Sequence, residues 1–277
     1  MLKVHFLNVG KGNCVIVKFP SGRLSIIDID NSKVEIGNQL QDPIEFLNEN
    51  YPNQSIFRFI LTHPDMDHFS GLNYLNSLRT IVNFWDTQNN KTAEESKIHL
   101  GGYDEADWYF YQKLRKQSNI PKVIHVKQGD EPVSYWKEDN ITVLAPSQEM
   151  VTKANTSGEY NHCSYVLMIE HEGIRILLGG DATKDSWRHI LANYGPAFLK
   201  ADVFLAPHHG SDQNIEKDVF NHIKPDYVII SDHYGHSYDY AYYTGLANKQ
   251  VYSTKHFGNI TVEVSSSRRV IFPERNG

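Results

Sequence analysis

The segment LTHPDMDHFSG (61–71) places two histidines and two aspartates within six positions, directly after a run of apolar residues. These four residues are His63, Asp65, Asp67 and His68. Imidazole and carboxylate groups are ligands for zinc, manganese and iron(II). Side chains two positions apart on a tight loop can converge on one point, while adjacent Asp67 and His68 can serve a second point nearby. The cluster therefore predicts a metal site; the alternative is a capped helix start with two surface histidines.

Further candidate ligands follow other apolar segments of the chain. Asp181 comes after two glycines in LLGGDATKDS, and ADVFLAPHHGSD carries the pair His208 and His209. His162 precedes the apolar run in EYNHCSYVL, and His236 lies in SDHYGHSYDY. Taken singly, each has an ordinary explanation as a turn or a surface histidine. Their recurrence at several strand ends, in a chain with 14 histidines, favours one shared metal centre.

The elements that must position these residues alternate between strand and helix patterns. LKVHFLNV, NCVIVKF and LSIIDID predict a meander of three strands, and SIFRFILT predicts the strand before the histidine cluster. HFSGLNYLNSL has helical spacing, with Asp67 as a candidate N-cap. Strand patterns return in SYVLMIE, IRILLGG, ADVFLAP and DYVIISD. The order predicts an α/β fold in which strand ends carry the ligands.

The segment from about 84 to 140 differs, and we expect a mostly helical insertion there. It is rich in aromatic residues that can stack nucleobases, although such residues more often form core. The aromatic residues considered are Trp85, Tyr103, Trp108, Tyr109, Phe110, Tyr111 and Trp136. A small basic cluster of Lys113, Arg115 and Lys116 lies among them.

Bulk composition restricts the class of protein. A chain of 277 residues with 40% hydrophobic and 22% charged residues can form a globular core, and we expect one domain over 1–277. The net charge of -6 provides no global attraction to nucleic acid or anionic membranes. Two cysteines fit a reducing compartment, and neither a signal peptide nor a membrane span is evident. We expect a cytoplasmic protein that does not act at a membrane.

The motifs together resemble those of a known family. The order HPDMDH, GGD, PHHGS, GHS and YSTKHFGNITV is similar to that of the metallo-β-lactamase-fold hydrolases. Within them it resembles the ComEC-like branch, the hydrolase domain of competence DNA-uptake proteins, here as a stand-alone chain. The resemblance runs from residue 4 to about 265 and includes the opening FLNVGKGNCVIVKFPSGRLSIIDID. It implies a four-layer αββα sandwich with the metals at one edge.

The resemblance also implies a role for each motif residue. His63 and Asp65 would belong to the first metal, and His162 lies near the position of a further first-metal ligand. Asp67 and His68 would hold the second metal.

The remaining motif residues would complete the centre. Asp181 would bridge both ions. One of His208 and His209 would be a ligand and the other a supporting or substrate contact. His236 would contact substrate phosphate or donate a proton.

The function implied is that of a metal-dependent hydrolase with two divalent ions, Zn or Mn, and a metal-bound hydroxide as nucleophile. Asp65, where many family members have histidine, favours a phosphodiesterase or nuclease acting on a nucleic acid or nucleotide. The candidate catalytic residues are Asp67, His209 and His236. The alternatives are an acyl hydrolase of a lactam, lactone or thioester, or a non-catalytic metal-binding module with a protein partner.

Overall fold

The computed structural model describes residues 1–32, 40–96, 102–130, 134–233 and 238–275. Its strands are β1 (Leu2–Phe6), β2 (Val15–Lys18), β3 (Leu24–Ile27), β4 (Ile29–Asp30), β5 (Ile56–Ile60), β6 (Phe69–Ser70), β7 (Ile81–Trp85), β8 (Lys122–Ile124), β9 (Ile141–Ala145), β10 (Val166–His171), β11 (Ile174–Leu178), β12 (Val203–Leu205), β13 (Tyr227–Ile230), β14 (Gln250–Ser253), β15 (Ile260–Ser265) and β16 (Arg268–Pro273). Its α-helices are α1 (Pro43–Asn50), α2 (Leu72–Leu78), α3 (Ala93–Ser96), α4 (Glu105–Leu114), α5 (Ser134–Glu138), α6 (Gln148–Ser157), α7 (Lys184–Tyr194), α8 (Lys217–Phe220), α9 (Tyr240–Leu246) and α10 (Thr254–Phe257).

The first sheet has the order β16-β15-β1-β2-β3-β5-β7-β8 within the described residues. The predicted meander is present, because β1, β2 and β3 pair antiparallel through short turns. From β3 onward the strands run parallel, so β3, β5 and β7 end at the same edge. This edge presents the residues that follow β3 and β5, which include Asp28 and His63.

The second sheet has the order β14-β13-β12-β11-β10-β9, again within the described ranges. Strands β11, β12, β13 and β14 are parallel, with Leu178 opposite Leu205. The ends of β11 and β12 therefore bring Asp181 and the histidine pair 208–209 to one edge.

The two sheets pack face to face around a core of buried aliphatic and aromatic side chains. Val17, Ile60 and Trp85 from the first sheet and Leu167 and Ile176 from the second belong to this cluster.

Helices cover the outer faces of both sheets. On the first sheet, a second buried cluster includes Leu47 of α1, Leu75 of α2 and Leu114 of α4. On the second sheet, a third cluster includes Trp187 of α7 and Phe220 of α8. The arrangement is helix, sheet, sheet, helix, which confirms the predicted four-layer αββα sandwich.

The segment 84–140 contains the helices α3, α4 and α5 and the strand β8, which extends the first sheet by pairing parallel with β7. Most of its aromatic rings are core. Trp85 and Trp136 lie between the sheets, and Trp108 and Tyr111 lie on the buried face of α4, all at most 5% exposed. Nucleobase stacking is therefore wrong for these four rings, because they have no free face.

The remaining aromatic and basic residues of the segment have different surroundings. Phe110 is partly buried and packs against the core under α4, whereas Tyr109 is 59% exposed. Tyr103 borders a surface cavity described below. Arg115 of the basic cluster pairs with Asp86, with its Nε 3.1 Å from Oδ2, so it is held in the fold.

The helix after the histidine cluster is not capped by Asp67, contrary to the sequence prediction. Asp67 lies in a short 3-10 helix, Met66–His68. The helix α2 begins after Gly71, which itself adopts a left-handed backbone conformation. Asp107 of α4 instead accepts hydrogen bonds from the backbone N–H groups of Gly71, at 2.7 Å, and Asn73, at 2.9 Å. The side chain of Asp67 is thereby left for another role.

No helix in the described ranges combines the length and the apolar character needed to cross a bilayer.

Candidate metal centre

Three loops meet at the edge where the two sheets end. His63 and His68 lie on the loop after β5, Asp181 on the loop after β11, and His208 and His209 on the loop after β12. The backbone joins the last two loops, since the His208 N–H donates to the Gly180 carbonyl at 2.9 Å. Residues separated by more than a hundred positions are thus brought together, as the sequence predicted.

The loop carrying Asp181 needs its glycine. Gly180 has φ +50°, and a Cβ there would lie 2.5 Å from Ser164 Oγ and 2.6 Å from the Tyr165 carbonyl oxygen. The Ser164 hydroxyl also accepts a hydrogen bond from the Asp181 N–H at 2.9 Å. This close backbone approach fixes Asp181 against the neighbouring strand.

Asp181 is the centre of the cluster. Its Oδ2 lies 3.4 Å from His68 Nε2 and 3.8 Å from His63 Nε2. Oδ2 is also 3.9 Å from the Nε2 atoms of both His208 and His209. Four imidazole nitrogens therefore surround one carboxylate, and the bridging role of Asp181 remains a prediction.

The ligand atoms form two overlapping groups, within each of which they lie within 4.8 Å of one another. One group is His63, His68 and Asp181, and the other is Asp67, His68 and His209. His68 belongs to both groups. Because Asp28 engages its Nδ1, His68 can offer only Nε2, so it could bind one of two neighbouring ions but not both.

Asp28, which the sequence analysis did not single out as a site residue, holds His68 in place. Its Oδ2 is 2.7 Å from His68 Nδ1 and accepts a hydrogen bond from the Thr62 hydroxyl at 2.7 Å. Its Oδ1 accepts from the Thr62 N–H, also at 2.7 Å. The contact places the Nδ1 proton of His68 toward Asp28 and leaves Nε2 as the metal-facing atom. A sequence signal existed, because Asp28 ends the apolar run LSIID.

The electrostatics of the cluster are strongly perturbed. Burial lowers the pKa of His68, but the carboxylates of Asp181 and Asp28 outweigh burial and raise it well above its usual value. Burial raises the pKa of Asp181, but His68, His63 and His209 outweigh it and hold this pKa well below its usual range. Burial lowers the pKa of His209 to about 4, against the opposing effect of Asp181. His209 is thus neutral at ordinary pH, the form in which imidazole binds metals.

The two members of the histidine pair have different environments. Both residues adopt left-handed backbone conformations, with φ 49° and 56°. His209 is buried, and its Nδ1 faces the Ser231 carbonyl oxygen at 3.2 Å. The His208 side chain is 38% exposed, and its Nδ1 lies 3.0 Å from Asn214 Oδ1. These positions favour His209 as a ligand and His208 as a substrate contact.

Asp65 is shared between the cluster and a lysine. Its Oδ2 lies 3.6 Å from His63 Nε2, while its Oδ1 accepts a hydrogen bond from the ammonium group of Lys91. Lys91 lies in QNNKTAEES, where no sequence pattern connects it to residue 65.

Both ring nitrogens of His162 contact residues outside the metal cluster. Its Nε2 lies 3.0 Å from Glu159 Oε2 and its Nδ1 lies 2.9 Å from Thr183 Oγ1. The structure thus does not bring His162 into either ligand group. His236 lies outside the described residues, so its predicted role remains a prediction.

Gly12, in the turn between β1 and β2, packs directly against the loop that carries Asp67. The Gly12 N–H donates to Asp30 Oδ2 at 3.0 Å. A Cβ on Gly12 would lie 2.0 Å from the Asp67 carbonyl oxygen and 2.4 Å from Asp30 Cβ. Burial raises the pKa of Asp30 to about 7, although hydrogen bonds from Ser32 oppose the shift.

A cavity of about 640 Å³ opens beside the cluster. Residues with charged or hydrogen-bonding side chains on its walls include Lys11, Asp65, Asp67, Lys91, Glu95, Tyr103, Glu159, Tyr160, Thr183, His208 and Asn214. A polar cavity of this size can admit a small charged molecule.

The residues present fit divalent metal ions. His63 Nε2, His68 Nε2 and Asp181 Oδ1 are buried and have no hydrogen-bond partner. A buried polar atom without a partner costs about 1–3 kcal/mol, and three converging on one point are not expected without a ligand. Imidazole nitrogens and carboxylate oxygens are the donors that zinc and manganese accept.

Comparisons with known proteins agree on the fold. No family model and no curated protein matches this chain. Among solved structures, the chain is similar to the metallo-β-lactamase fold protein YhfI from Bacillus subtilis, at 12% identity and a TM-score of 0.56, covering 95% of this chain and 100% of that one. It is also similar to Tm1679, a metal-dependent hydrolase of the β-lactamase superfamily, at 14% identity and a TM-score of 0.57, covering 96% and 100% of the two chains.

A third similar structure carries a metal. It is Zn²⁺-bound PqqB from Methylobacterium extorquens, at 11% identity and a TM-score of 0.51, covering 94% of this chain and 100% of that one. At these identities the likeness concerns the fold, and the predicted metallo-β-lactamase fold is confirmed. The ComEC-like branch remains a prediction.

Proposed function

We propose that this chain, which has the metallo-β-lactamase fold, is a metal-dependent hydrolase that cleaves phosphodiesters. The observation that carries the proposal is the set of three buried, unpartnered atoms, His63 Nε2, His68 Nε2 and Asp181 Oδ1. They lie at the edge where the sheets end, next to the polar cavity.

The donors would divide between two ions. Asp181 would serve both ions, His63 and Asp65 would hold the first, and Asp67, His68 and His209 would hold the second. When bound, divalent ions lower the pKa of a water molecule and neutralise charge that builds on the attacked group. His162 is omitted from the ligand set because its contacts are with Glu159 and Thr183.

The chain's own groups supply proton transfer and positioning. Asp67 lines the cavity and can accept a proton from the attacking water. His208 also lines the cavity with a partly exposed ring, so it can contact a phosphate oxygen or protonate the leaving oxygen. The role predicted for His236 would be the same, and the two histidines can divide these tasks.

Two features support a phosphodiester over an acyl substrate. Lys11 and Lys91 line the cavity, together with the acidic residues Asp65, Asp67, Glu95 and Glu159. Because Lys91 already pairs with Asp65, Lys11 is the lysine that would attract a phosphate anion. Asp65 replaces the histidine that many family members carry. The cavity volume of about 640 Å³ supports a nucleotide-sized unit, either free or at an accessible position of a nucleic acid.

The proposal is tested by a substrate panel with added Mn²⁺ or Zn²⁺. The panel contains bis-p-nitrophenyl phosphate, cyclic nucleotides, RNA, linear and circular DNA, and nitrocefin as the acyl substrate. We expect turnover of at least one phosphodiester, abolished by a chelator and absent from the Asp67→Ala and Asp181→Ala variants. Hydrolysis of nitrocefin alone would support the acyl alternative, and metal binding without any turnover would support the binding-module alternative.

A further inference from the structure

The two halves of the metal centre differ in what their ligands already contact. The ligand atoms of Asp67, His68 and His209 lie within 4.8 Å of one another, as do those of His63, His68 and Asp181, so the two halves differ only through Asp65. In the half that contains His63, the Asp65 carboxylate is bound to the ammonium of Lys91. An ion that binds in this half must therefore compete with Lys91 for the Asp65 carboxylate.

Lys91 is firmly held in this position. Its side chain is 7% exposed, and its backbone N–H donates to Asn89 Oδ1 at 3.2 Å. Its Nζ lies 5.2 Å from the centroid of the Tyr160 ring, a cation–π contact that favours an ammonium over a neutral group. The positive charge is built into the wall of the cavity.

A fixed ammonium beside a ligand carboxylate acts on an incoming cation in two ways. It withdraws part of the carboxylate's negative charge, and it repels a divalent ion directly, since both charges lie in a partly buried region where screening is weak. Asp65 Oδ2 lies 3.6 Å from His63 Nε2. One carboxylate group therefore separates the ammonium from the imidazole of the first half-site.

We propose that Lys91 sets the metal occupancy, so that the protein binds one ion tightly at Asp67, His68, His209 and Asp181 and a second, beside Asp65, more weakly. This inference rests on the proposed metal-dependent function. The protein would then pass between one-metal and two-metal forms according to the supply of free metal.

A different role for Lys91 predicts the opposite effect of its removal. A partner that only orients Asp65 would raise metal affinity, and losing such a partner usually weakens binding by about 10–100-fold. The variant Lys91→Gln separates the two roles, because glutamine can still donate a hydrogen bond to Asp65 but carries no charge. Lys91→Met removes both the charge and the hydrogen bond while keeping the apolar stem.

The experiment is a titration of chelator-treated protein with Zn²⁺, followed by isothermal calorimetry and by metal analysis after gel filtration. For the natural chain we expect one retained ion and a second that binds at least about 10-fold more weakly. In both Lys91→Gln and Lys91→Met we expect the second ion to bind about 10-fold more tightly. Lys153→Gln, which removes a lysine from the exposed pair with Asp185, is the matched control and should behave as the natural chain.

Other outcomes would overturn the inference in distinguishable ways. Equal binding of two ions by the natural chain, or unchanged or weaker second binding in Lys91→Gln, would refute the role of Lys91 and leave the proposed hydrolase intact. Absence of any metal binding by the natural chain would refute the metal centre itself. Circular dichroism of the metal-free proteins checks folding, and if the Met variant does not fold, the Gln variant decides the result.

Discussion

Two buried polar regions lie along strand β5, and they satisfy their charges in different ways. Within the strand, Arg58 is 1% exposed and donates to Asp139 Oδ2 at 3.0 Å and to Ser25 Oγ at 2.9 Å. Three residues after the strand, His63 is also 1% exposed, but its Nε2 has no hydrogen-bond partner. Both side chains are equally buried, but the Arg58 guanidinium is hydrogen-bonded within the fold, whereas His63 Nε2 has only the longer contacts with Asp65 and Asp181, at 3.6 and 3.8 Å.

The difference separates a structural role from a binding role. Burying a charge is costly unless it is paired, and the Arg58–Asp139 pair meets that requirement within the fold. His63 Nε2, His68 Nε2 and Asp181 Oδ1 are instead buried without a hydrogen-bond partner, which is the arrangement expected of atoms that bind a ligand. Substitutions in the two regions should accordingly damage different properties.

The largest effect is expected for Asp181→Ala in the binding region. Removing a carboxylate common to both ions should lower metal affinity and phosphodiester turnover by more than about 100-fold, since outer-shell partners alone contribute about 10–100-fold. The metal-free protein should remain folded, because alanine keeps the hydrogen bond from the backbone N–H of residue 181 to Ser164 Oγ that holds this loop. Metal analysis and circular dichroism measure the two properties.

Asp185→Ala is the control, as this exposed aspartate lies four positions later and pairs with Lys153. Retained metal in Asp181→Ala, or equal loss in both variants, would contradict the assignment of Asp181.

The next effect concerns the paired region. Asp139→Ala leaves the Arg58 guanidinium buried without its carboxylate, which should lower the free energy of unfolding by about 3–5 kcal/mol. Metal affinity of the folded fraction should not change. Urea unfolding of the metal-free protein measures the loss.

Glu138→Ala provides the comparison, because the Glu138 side chain is 59% exposed in its pair with Arg23 and exposed pairs contribute about 0–1 kcal/mol. If the two variants are equally stable, the buried pair has no special role.

His5 represents a third case, a buried polar group with neutral partners. Its Nδ1 lies 2.8 Å from Thr261 Oγ1 and its Nε2 lies 2.7 Å from the Tyr51 hydroxyl. Burial, aided by Lys3, lowers its pKa from 6.5 to about 4. Between these pH values the unfolded chain binds a proton that the folded chain does not, so stability falls as the pH drops from 6.5 to 4.

Across this pH window His5 changes the free energy of unfolding by about 3 kcal/mol, and above pH 6.5 it adds no further pH dependence. Unfolding free energies measured from pH 4 to pH 7 should have a smaller slope in His5→Gln than in the natural chain. Identical slopes would show that His5 titrates normally.

The smallest effect is expected for Asp28, which is buried and hydrogen-bonded to Thr62 and also contacts the candidate ligand His68. Asp28→Asn keeps a hydrogen-bonding side chain beside Thr62 but removes the charge that orients His68, so metal affinity should fall by about 10–100-fold. Calorimetric titration with Zn²⁺ measures the change. Asp226→Asn, in the exposed pair with Lys249, should leave affinity unaltered, and an unaltered affinity in Asp28→Asn as well would deny Asp28 its orienting role.

Local spacing predicted the sheet strands and the ligand loops, because the residues that mark them are close in sequence. His63, Asp67 and His68 share one loop, and their alternation with apolar runs revealed a strand end. The contacts that complete the site are different in kind. Lys91 lies 26 positions from Asp65, and no sequence pattern predicts that these two side chains are in contact.

One wrong prediction, the cap of α2, and one rejected alternative, nucleobase stacking, have the same physical origin. The cap of α2 comes from Asp107, on another helix, so a search for a capping residue near the helix start chose Asp67 instead. Aromatic residues in 84–140 resembled a stacking surface, but packing of α4 and α5 against the first sheet buries four of their rings. In both cases tertiary packing, which local sequence patterns do not record, decided the outcome.

The contact between Gly12 and the ligand loop limits how this site can be moved between proteins. Because a Cβ at position 12 would lie only 2.0 Å from the Asp67 carbonyl oxygen, only glycine at this position is compatible with the observed path of the loop. A designer who transplanted residues 61–71 alone would leave behind the surface on which they rest. The transferable unit is the loop together with the first hairpin and Asp30.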